Sequence, residues 1–333
     1  MPASIHDVAA LAGVSIATVS RSFTVPTAVR EATRESVLTA AAELGYQPNR
    51  AARGLITGRT GNVGVIVPDL GNPYFHAVLK GAQARAREAD YAVFVADGQE
   101  SADEEEALIK AMSKQVDGIV LCSSRLAPSK LAALEPAPTV VLFNRRVPDL
   151  PTVIVDSADG MKQAVEHLAS LGHRRCAFVS GPRRSWSNQQ RHKGLRAAAR
   201  DCSVETVLIG PAAPQFESGV AAVQAILDAG VSAVLAYNDL VAVGILSRLA
   251  ELGLQVPQAL SVVGFDDIPL AAMVTPALTT VAVPTALAGR ASIELLLERL
   301  DAGEHTASTD VRKLPASLVV RGSTAAPGRA AHS

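Results

Sequence analysis

The residues best placed to do chemistry in this chain are polar groups that follow short apolar runs. Asn144 follows VVLF, Asn238 follows VLAY, and Asp266 follows VVGF. Arg191 stands in GPRRSWSNQQRHKG, residues 181–194, on a predicted helix that follows a predicted strand. Its guanidinium is a planar fork of donors able to grip adjacent hydroxyls, a carboxylate or a phosphate. Amide and carboxylate groups nearby add acceptors as well as donors, a set that suits a sugar or a nucleoside. Tyr74, Phe75 and the single tryptophan, Trp186, offer aromatic faces for stacking on the apolar side of such a ligand. Other readings stay open at three of these positions. Asn238 and Asp266 also suit helix caps at strand-to-helix turns, and Trp186 equally suits a structural role.

Enzyme chemistry finds little support. The chain has no GxGxxG after its first strand, no GxxxxGK[ST] loop, no HExxH and no GxSxG elbow. His167 and His173 flank a helix end, which is poor geometry for a shared metal. Cys122, Cys176 and Cys202 are far apart and show no ligand spacing, so they read as reduced thiols of a cytoplasmic protein. No catalytic residue, metal or cofactor is expected. His6 and Asp7 interrupt the place where a signal peptide would need an apolar core. The longest uncharged run, Ile268 to Gly289, contains Pro269, Pro276 and Pro284, so no membrane span is expected.

The elements that must position these groups alternate along the chain. From about residue 61, the apolar runs VGVIVP, YAVFVA, GIVLC and TVVLF are separated by helical segments such as Tyr74 to Ala89 and Asp103 to Gln115. A second series follows with VIVD, CAFVSG, TVLIG, AVLAYND and SVVGFDD, then a helix from Ala286 to Leu300 and a further strand. Near-continuous apolar strands between helices predict parallel sheets covered on both faces. Two series predict two doubly wound α/β lobes, with ligand contacts beyond the carboxyl ends of their strands.

The first sixty residues follow another pattern. Ile5, Val8, Leu11 and Ala12 recur at helical spacing, and Gly13 supplies a turn residue that tolerates positive φ. Ser15 suits the cap of a second helix from Ile16, whose Val19 returns to the core. A third helix is predicted from Glu31 to Leu44, with Val37, Leu38, Ala41 and Leu44 on one face and Gly45 closing it. This is an all-α helix-turn-helix unit. It carries six Arg, no Lys and four acids, a modest positive bias in a chain of net charge −1.

In order, the runs IHDVAALAGVSIATVSR, LGYQPNRAARGL, VGVIVPDLGNPYF and SLVVRGST resemble the LacI/GalR family of bacterial transcription regulators over nearly the whole chain. The resemblance implies a helix-turn-helix DNA-binding domain at 1–47, a hinge helix and linker at 48–60, a two-lobed effector-binding and dimerisation domain at 61–324, and a frayed tail at 325–333. The core would be periplasmic-binding-protein-like, with a cleft between its lobes. The resemblance offers Ile16, Ala17 and Arg21 to the major groove. Arg21 would hold guanine O6 and N7, whereas Thr18 and Ser20 would hold phosphate oxygens. Asn49 and Arg50 would serve the short hinge helix, and Leu55 would wedge into the minor groove. Packing remains the alternative for Ile16 and Leu55, and phosphate contact the alternative for Arg21. Arg191 is assigned to the ligand cleft. The family's usual Ser cap before the third helix is replaced by Arg30.

The implied partners are double-stranded, pseudo-palindromic operator DNA, a sugar, sugar phosphate or nucleoside effector, and a second copy of the chain, with a tetramer as a further possibility. The implied activity is that of a ligand-responsive repressor. A sugar-binding protein or a small-molecule enzyme on the same core would need none of the first sixty residues.

Overall fold

The computed structural model describes residues 3–24, 26–46, 58–134, 139–302 and 310–328. It divides into an N-terminal unit ending at Gly61 and a larger unit beginning at Asn62.

The N-terminal unit has three helices, α1 (Ile5–Ala12), α2 (Ile16–Thr24) and α3 (Glu31–Glu43). Ser4 and Asp7 fasten the start of α1: the Asp7 carboxylate accepts from the Ser4 backbone N–H at 2.8 Å and from its hydroxyl at 2.7 Å. Gly13 ends α1 at φ +66°, the left-handed conformation that the tight turn requires. The Ser15 hydroxyl then accepts from the Thr18 N–H at 3.1 Å, capping α2 as expected. Val8, Ala9, Val19, Val37, Ala40 and Ala41 form the core, and Phe23 and Tyr46 pack beside it. Small alanines on α1 and α3 let the helices approach closely.

Three expectations fail here. Leu11, Leu38 and Leu44 are 51%, 36% and 37% exposed. A bundle this small buries only a narrow stripe of each helix, and on α3 that stripe is Val37, Ala40 and Ala41. Arg30 occupies the cap position of α3 and makes no side-chain cap bond.

The larger unit contains two six-stranded sheets. The first runs in the order β11-β5-β4-β3-β1-β2 and is wholly parallel. Its strands are β1 (Asn62–Val67), β2 (Ala92–Asp97), β3 (Gly118–Cys122), β4 (Thr139–Phe143), β5 (Thr152–Val155) and β11 (Val311–Leu314). The second runs β12-β10-β9-β8-β6-β7, from β6 (Arg175–Val179), β7 (Glu205–Ile209), β8 (Ala233–Ala236), β9 (Ser261–Asp266), β10 (Thr279–Ala282) and β12 (Ser317–Val319). It is parallel except for β12, which runs antiparallel to β10.

Each sheet is a lobe, and the chain passes between lobes near Asp156, Pro284 and Pro315. The Ser157–Ser170 helix therefore packs on β10 and β12 of the second lobe, while the Thr285–Ala302 helix packs on β3, β4 and β5 of the first. The sequence predicts one strand after that last helix. Two follow, one added to each sheet.

Close helix packing holds the first lobe. A Cβ at Gly81 would collide with the Ala286 carbonyl, and one at Gly289 with the Val78 carbonyl, so the Pro73–Glu88 and Thr285–Ala302 helices meet backbone to backbone. Ala325, where the sequence predicts fraying, is tied down. Its carbonyl accepts from Ser261 at 3.1 Å and lies 2.9 Å from His173 Nε2, and its N–H donates to the Ser261 hydroxyl. Among the described residues no helix is long and apolar enough to cross a membrane.

Candidate functional site

On α2, Ile16, Ala17 and Arg21 are all exposed, whereas Val19 and Ser22 are buried. Residues i, i+1 and i+5 of a helix lie on one side, so these three share a solvent face opposite the core. Ile16 is 42% exposed, so within its own unit it does not fold back into the core. Thr18, on a flank, and Ser20, between Ile16 and Ala17 around the helix, are half-buried. Ser22 instead donates to the Thr18 carbonyl at 2.8 Å. The expected hinge residues Asn49, Arg50 and Leu55 lie outside the described residues.

In the first lobe, Asn72 caps the Pro73–Glu88 helix by accepting from the Tyr74 N–H at 3.0 Å. This points Tyr74 back along the ends of β1 and β4. Its ring lies nearly parallel to Phe143, with centroids 6.3 Å apart, and its hydroxyl accepts from Asn144 Nδ2 at 3.0 Å. Asn144 has φ +52° and accepts from the Val155 N–H at 3.0 Å, so one side chain ties the ends of β4 and β5 to Tyr74. Phe75 is buried and packs edge-on against the Tyr74 ring, with centroids 5.0 Å apart.

In the second lobe, the Trp186–Asp201 helix carries Arg191 inward over the ends of β8 and β9. Arg191 Nη2 donates to Asp266 Oδ1 at 3.1 Å, and Nη1 donates to the Tyr237 carbonyl. The guanidinium lies 3.7 Å from the Phe265 ring centroid and 4.6 Å from that of Tyr237. Its Nε is buried without a partner. Burial pushes the Asp266 carboxyl up to about 6, against the opposing pull of Arg191. Asp239, deeper still, is raised well above the usual carboxylate range by burial and then by Asp266. It accepts from Thr280 at 2.5 Å and from the Ile268 N–H at 2.9 Å. Burial likewise raises the Tyr74 hydroxyl, with Asp266 adding to the shift and Arg191 opposing it. The two lobes thus bring Tyr74 and the Arg191–Asp266 pair within electrostatic reach of each other.

The two cap alternatives separate. Asn238 caps the Asp239–Glu251 helix, accepting from the Val241 N–H at 3.0 Å and donating to the Pro214 carbonyl at 3.1 Å. Its carbonyl oxygen and one amide hydrogen are thereby engaged, as they are at Asn144. Asp266 caps nothing and pairs with Arg191. Trp186 is half-buried at the first turn of its helix.

A cavity of about 440 Å³ opens between the lobes. The first lobe lines it with Glu100, Ala102 and Arg125, and the second with residues 182–184 and 211–215. Arg125 is buried and grips Glu100 through Nε at 2.6 Å and Nη2 at 2.9 Å. Arg125, Glu100 and Tyr237 have no place in the sequence reading. Arg125 follows β3 just as Asn144 follows β4, and that shared position was the available signal. Among the described residues no group of His, Cys, Asp or Glu is arranged to hold a metal ion.

The comparisons agree with this geometry. Residues 4–49 match the profile of the bacterial regulatory proteins of the lacI family, and residues 165–324 that of a periplasmic binding protein-like domain. The HTH-type transcriptional repressor CytR of Escherichia coli K12 is 35% identical over 332 residues, covering 97% of both chains. This chain belongs to the LacI family. Catabolite control protein A of Priestia megaterium is 32% identical over 97% of this chain and all of its own. Among solved structures, the lac repressor dimer bound to operator and the anti-inducer ONPF superposes with a TM-score of 0.84, at 29% identity over 98% of this chain and all of that one. A complex of the regulator CelR with cellobiose is 32% identical, with a TM-score of 0.72 over 96% of this chain and 99% of its own. As a LacI-family member the chain is a DNA-binding transcriptional regulator, and its exposed α2 face and two-lobed core are the two halves of that architecture.

Proposed function

We propose that the chain is a cytoplasmic, non-enzymatic repressor that binds a pseudo-palindromic operator as a dimer and answers to a small sugar- or nucleoside-like effector in the cleft. Residues 1–47 form the reading head, 48–60 the hinge, and 61–324 the sensing and dimerising core. The observation that carries the reading is the α2 face. Ile16 and Ala17 offer only apolar surface, fit for thymine methyls, and Arg21 offers the fork that fits guanine. Thr18 and Ser20 suit phosphates, and Asn49, Arg50 and Leu55 suit the minor groove at the operator centre. One such head covers a half-site, so a symmetric dimer reads a symmetric operator.

Effector binding shifts a population. Arg191 and Asp266 in one lobe, with Tyr74 and Asn144 in the other, contact a ligand that favours one lobe arrangement. That arrangement changes operator affinity through differential binding to the two states. The test is a mobility shift on pseudo-palindromic promoter fragments, with and without candidate sugars and nucleosides. Retardation of a defined fragment, altered by at least one such ligand, is expected. Failure to retard any fragment under either condition rejects the proposal.

A further inference from the structure

We propose that the mouth of the cleft is a phosphate subsite, so that the effector is a phosphorylated metabolite held at its polar body by Arg191 and Asp266 and at its phosphate by Arg183 and Arg184. The proposal rests on the effector-cleft reading and deepens it. Three observations carry it.

The first is charge. Arg125, Arg183 and Arg184 line the cavity against a single carboxylate, Glu100. Both Glu100 oxygens accept from Arg125. Among the described residues, no carboxylate lies within ion-pair distance of Arg183 or Arg184, which leaves two cations facing one small cavity. A phosphate monoester carries about −1.5 to −2 at pH 7, which matches them. A neutral sugar would leave both unanswered.

The second is rigidity. Arginines on a loop are ordinarily just solvated, but this loop is fastened at both ends. Asn188 accepts from the Gly181 N–H at 3.0 Å and donates to the Gly181 carbonyl at 3.2 Å. The Ser185 N–H donates to the Pro182 carbonyl at 3.0 Å, and the Ser185 hydroxyl is 3.1 Å from that of Tyr237. Tyr237 also carries the carbonyl that holds Arg191, so the loop is braced against the inner site itself. With the loop backbone fixed, only the two arginine side chains remain to be ordered on binding, which lowers the entropic cost.

The third is the wall. Pro182, Pro211, Pro214, Ala102, Ala212 and Ala213 surround the arginines with apolar surface, which weakens competition from water. Arg125 faces them from the other lobe. Its bonds to Glu100 and to the Ser123 carbonyl leave one N–H on each terminal nitrogen. A phosphate seated there touches both lobes and draws them together.

The test uses the full-length protein and isothermal titration with matched pairs: ribose and ribose 5-phosphate, glucose and glucose 6-phosphate, adenosine and its 5′-monophosphate. Gluconate serves as a carboxylate control and inorganic phosphate as the baseline. In at least one pair the phosphorylated member is expected to bind ten-fold or more tightly than its neutral partner. The double substitution Arg183→Gln, Arg184→Gln is expected to bring the two members within three-fold, with an unchanged circular dichroism melt. Arg191→Ala is expected to weaken both members. Equal affinity within every pair, an advantage that survives the double substitution, a preference for gluconate alone, or no binding of any phosphorylated member overturns the subsite. Neutral binding that is lost in Arg191→Ala without any phosphate advantage would leave the cleft reading standing while the subsite falls. Neutral binding indifferent to Arg191→Ala would sink the cleft reading instead.

Discussion

Arg191 and Asp266 form a buried ion pair, Nη2 to Oδ1 at 3.1 Å, sandwiched against the rings of Phe265 and Tyr237. Each side chain is only 7% exposed, so each answers for the other's burial. Removing one member of such a pair costs about 3–5 kcal/mol, because the remaining charge is left uncompensated. Arg191→Ala should therefore lower the unfolding free energy of the full-length protein, measured by urea titration, by an amount in that range and abolish the effector response. Operator binding of the folded fraction should be retained, as a mobility shift without effector will show. Retained effector response would mean that the residue only braces the β8 and β9 ends.

The same pair sets a pH dependence. Asp266 titrates near 6 in the fold, above the ordinary aspartate value. The native state then holds a proton that the unfolded state has released, so stability from this group is fully present below pH ~4 and lost as pH rises through 6. Asp239 is shifted in the same direction. The stability difference between wild type and Asp266→Asn should fall by on the order of 3 kcal/mol as pH rises from ~4 to ~7. Urea unfolding of both proteins across that range measures it. A difference that grows with pH would mean that Arg191 outweighs burial.

Arg21 stands exposed beside Ile16 and Ala17 on the outer face of α2. Arg21→Ala should cost about 1–3 kcal/mol at a single base position and relax selectivity there. Binding measured against a library of single-base operator variants will reveal the position. A uniform loss across all variants, with a shallower salt dependence, would reassign Arg21 to a phosphate.

Gly289 leaves no space for a side chain against the Val78 carbonyl. The obstacle is backbone, so no rotamer change relieves it. Gly289→Ala should destabilise the core by about 1–3 kcal/mol through overpacking, visible as a lower Tm. Ala82→Gly, on the facing helix, should instead cost about 0.5–1 kcal/mol or somewhat more, through lost helix propensity and packing and without overpacking.

What could be read from the chain alone depended on how local each signal was. Gly13 and Ser15 punctuate a turn within three residues, and the apolar β-strand runs declare themselves without reference to any partner. Leu11, Leu38 and Leu44 misled because apolar character does not say which side of a helix faces the core. Asp266 pairs with a residue 75 positions away, and Arg125 with one 25 away, and neither distance leaves a trace in the pattern. Asn144 and Asp266 could nonetheless be singled out, because each follows a strand end where a doubly wound sheet exposes its ligand groups, and Arg191 through the resemblance of its segment to the family. Asn238 shares that position and also caps its own helix, so one strand-end residue can serve both readings.

The passages of the chain near Asp156, Pro284 and Pro315 have an implication for biogenesis. Both sheets finish late: β11 closes the first only at Val311–Leu314, and β12 joins the second only at Ser317–Val319. A nascent polypeptide that has emerged as far as residue 300 owns neither lobe in full. The two halves of the sensor must mature together, and a ribosome that stops early releases a product with two exposed sheet edges and no complete lobe.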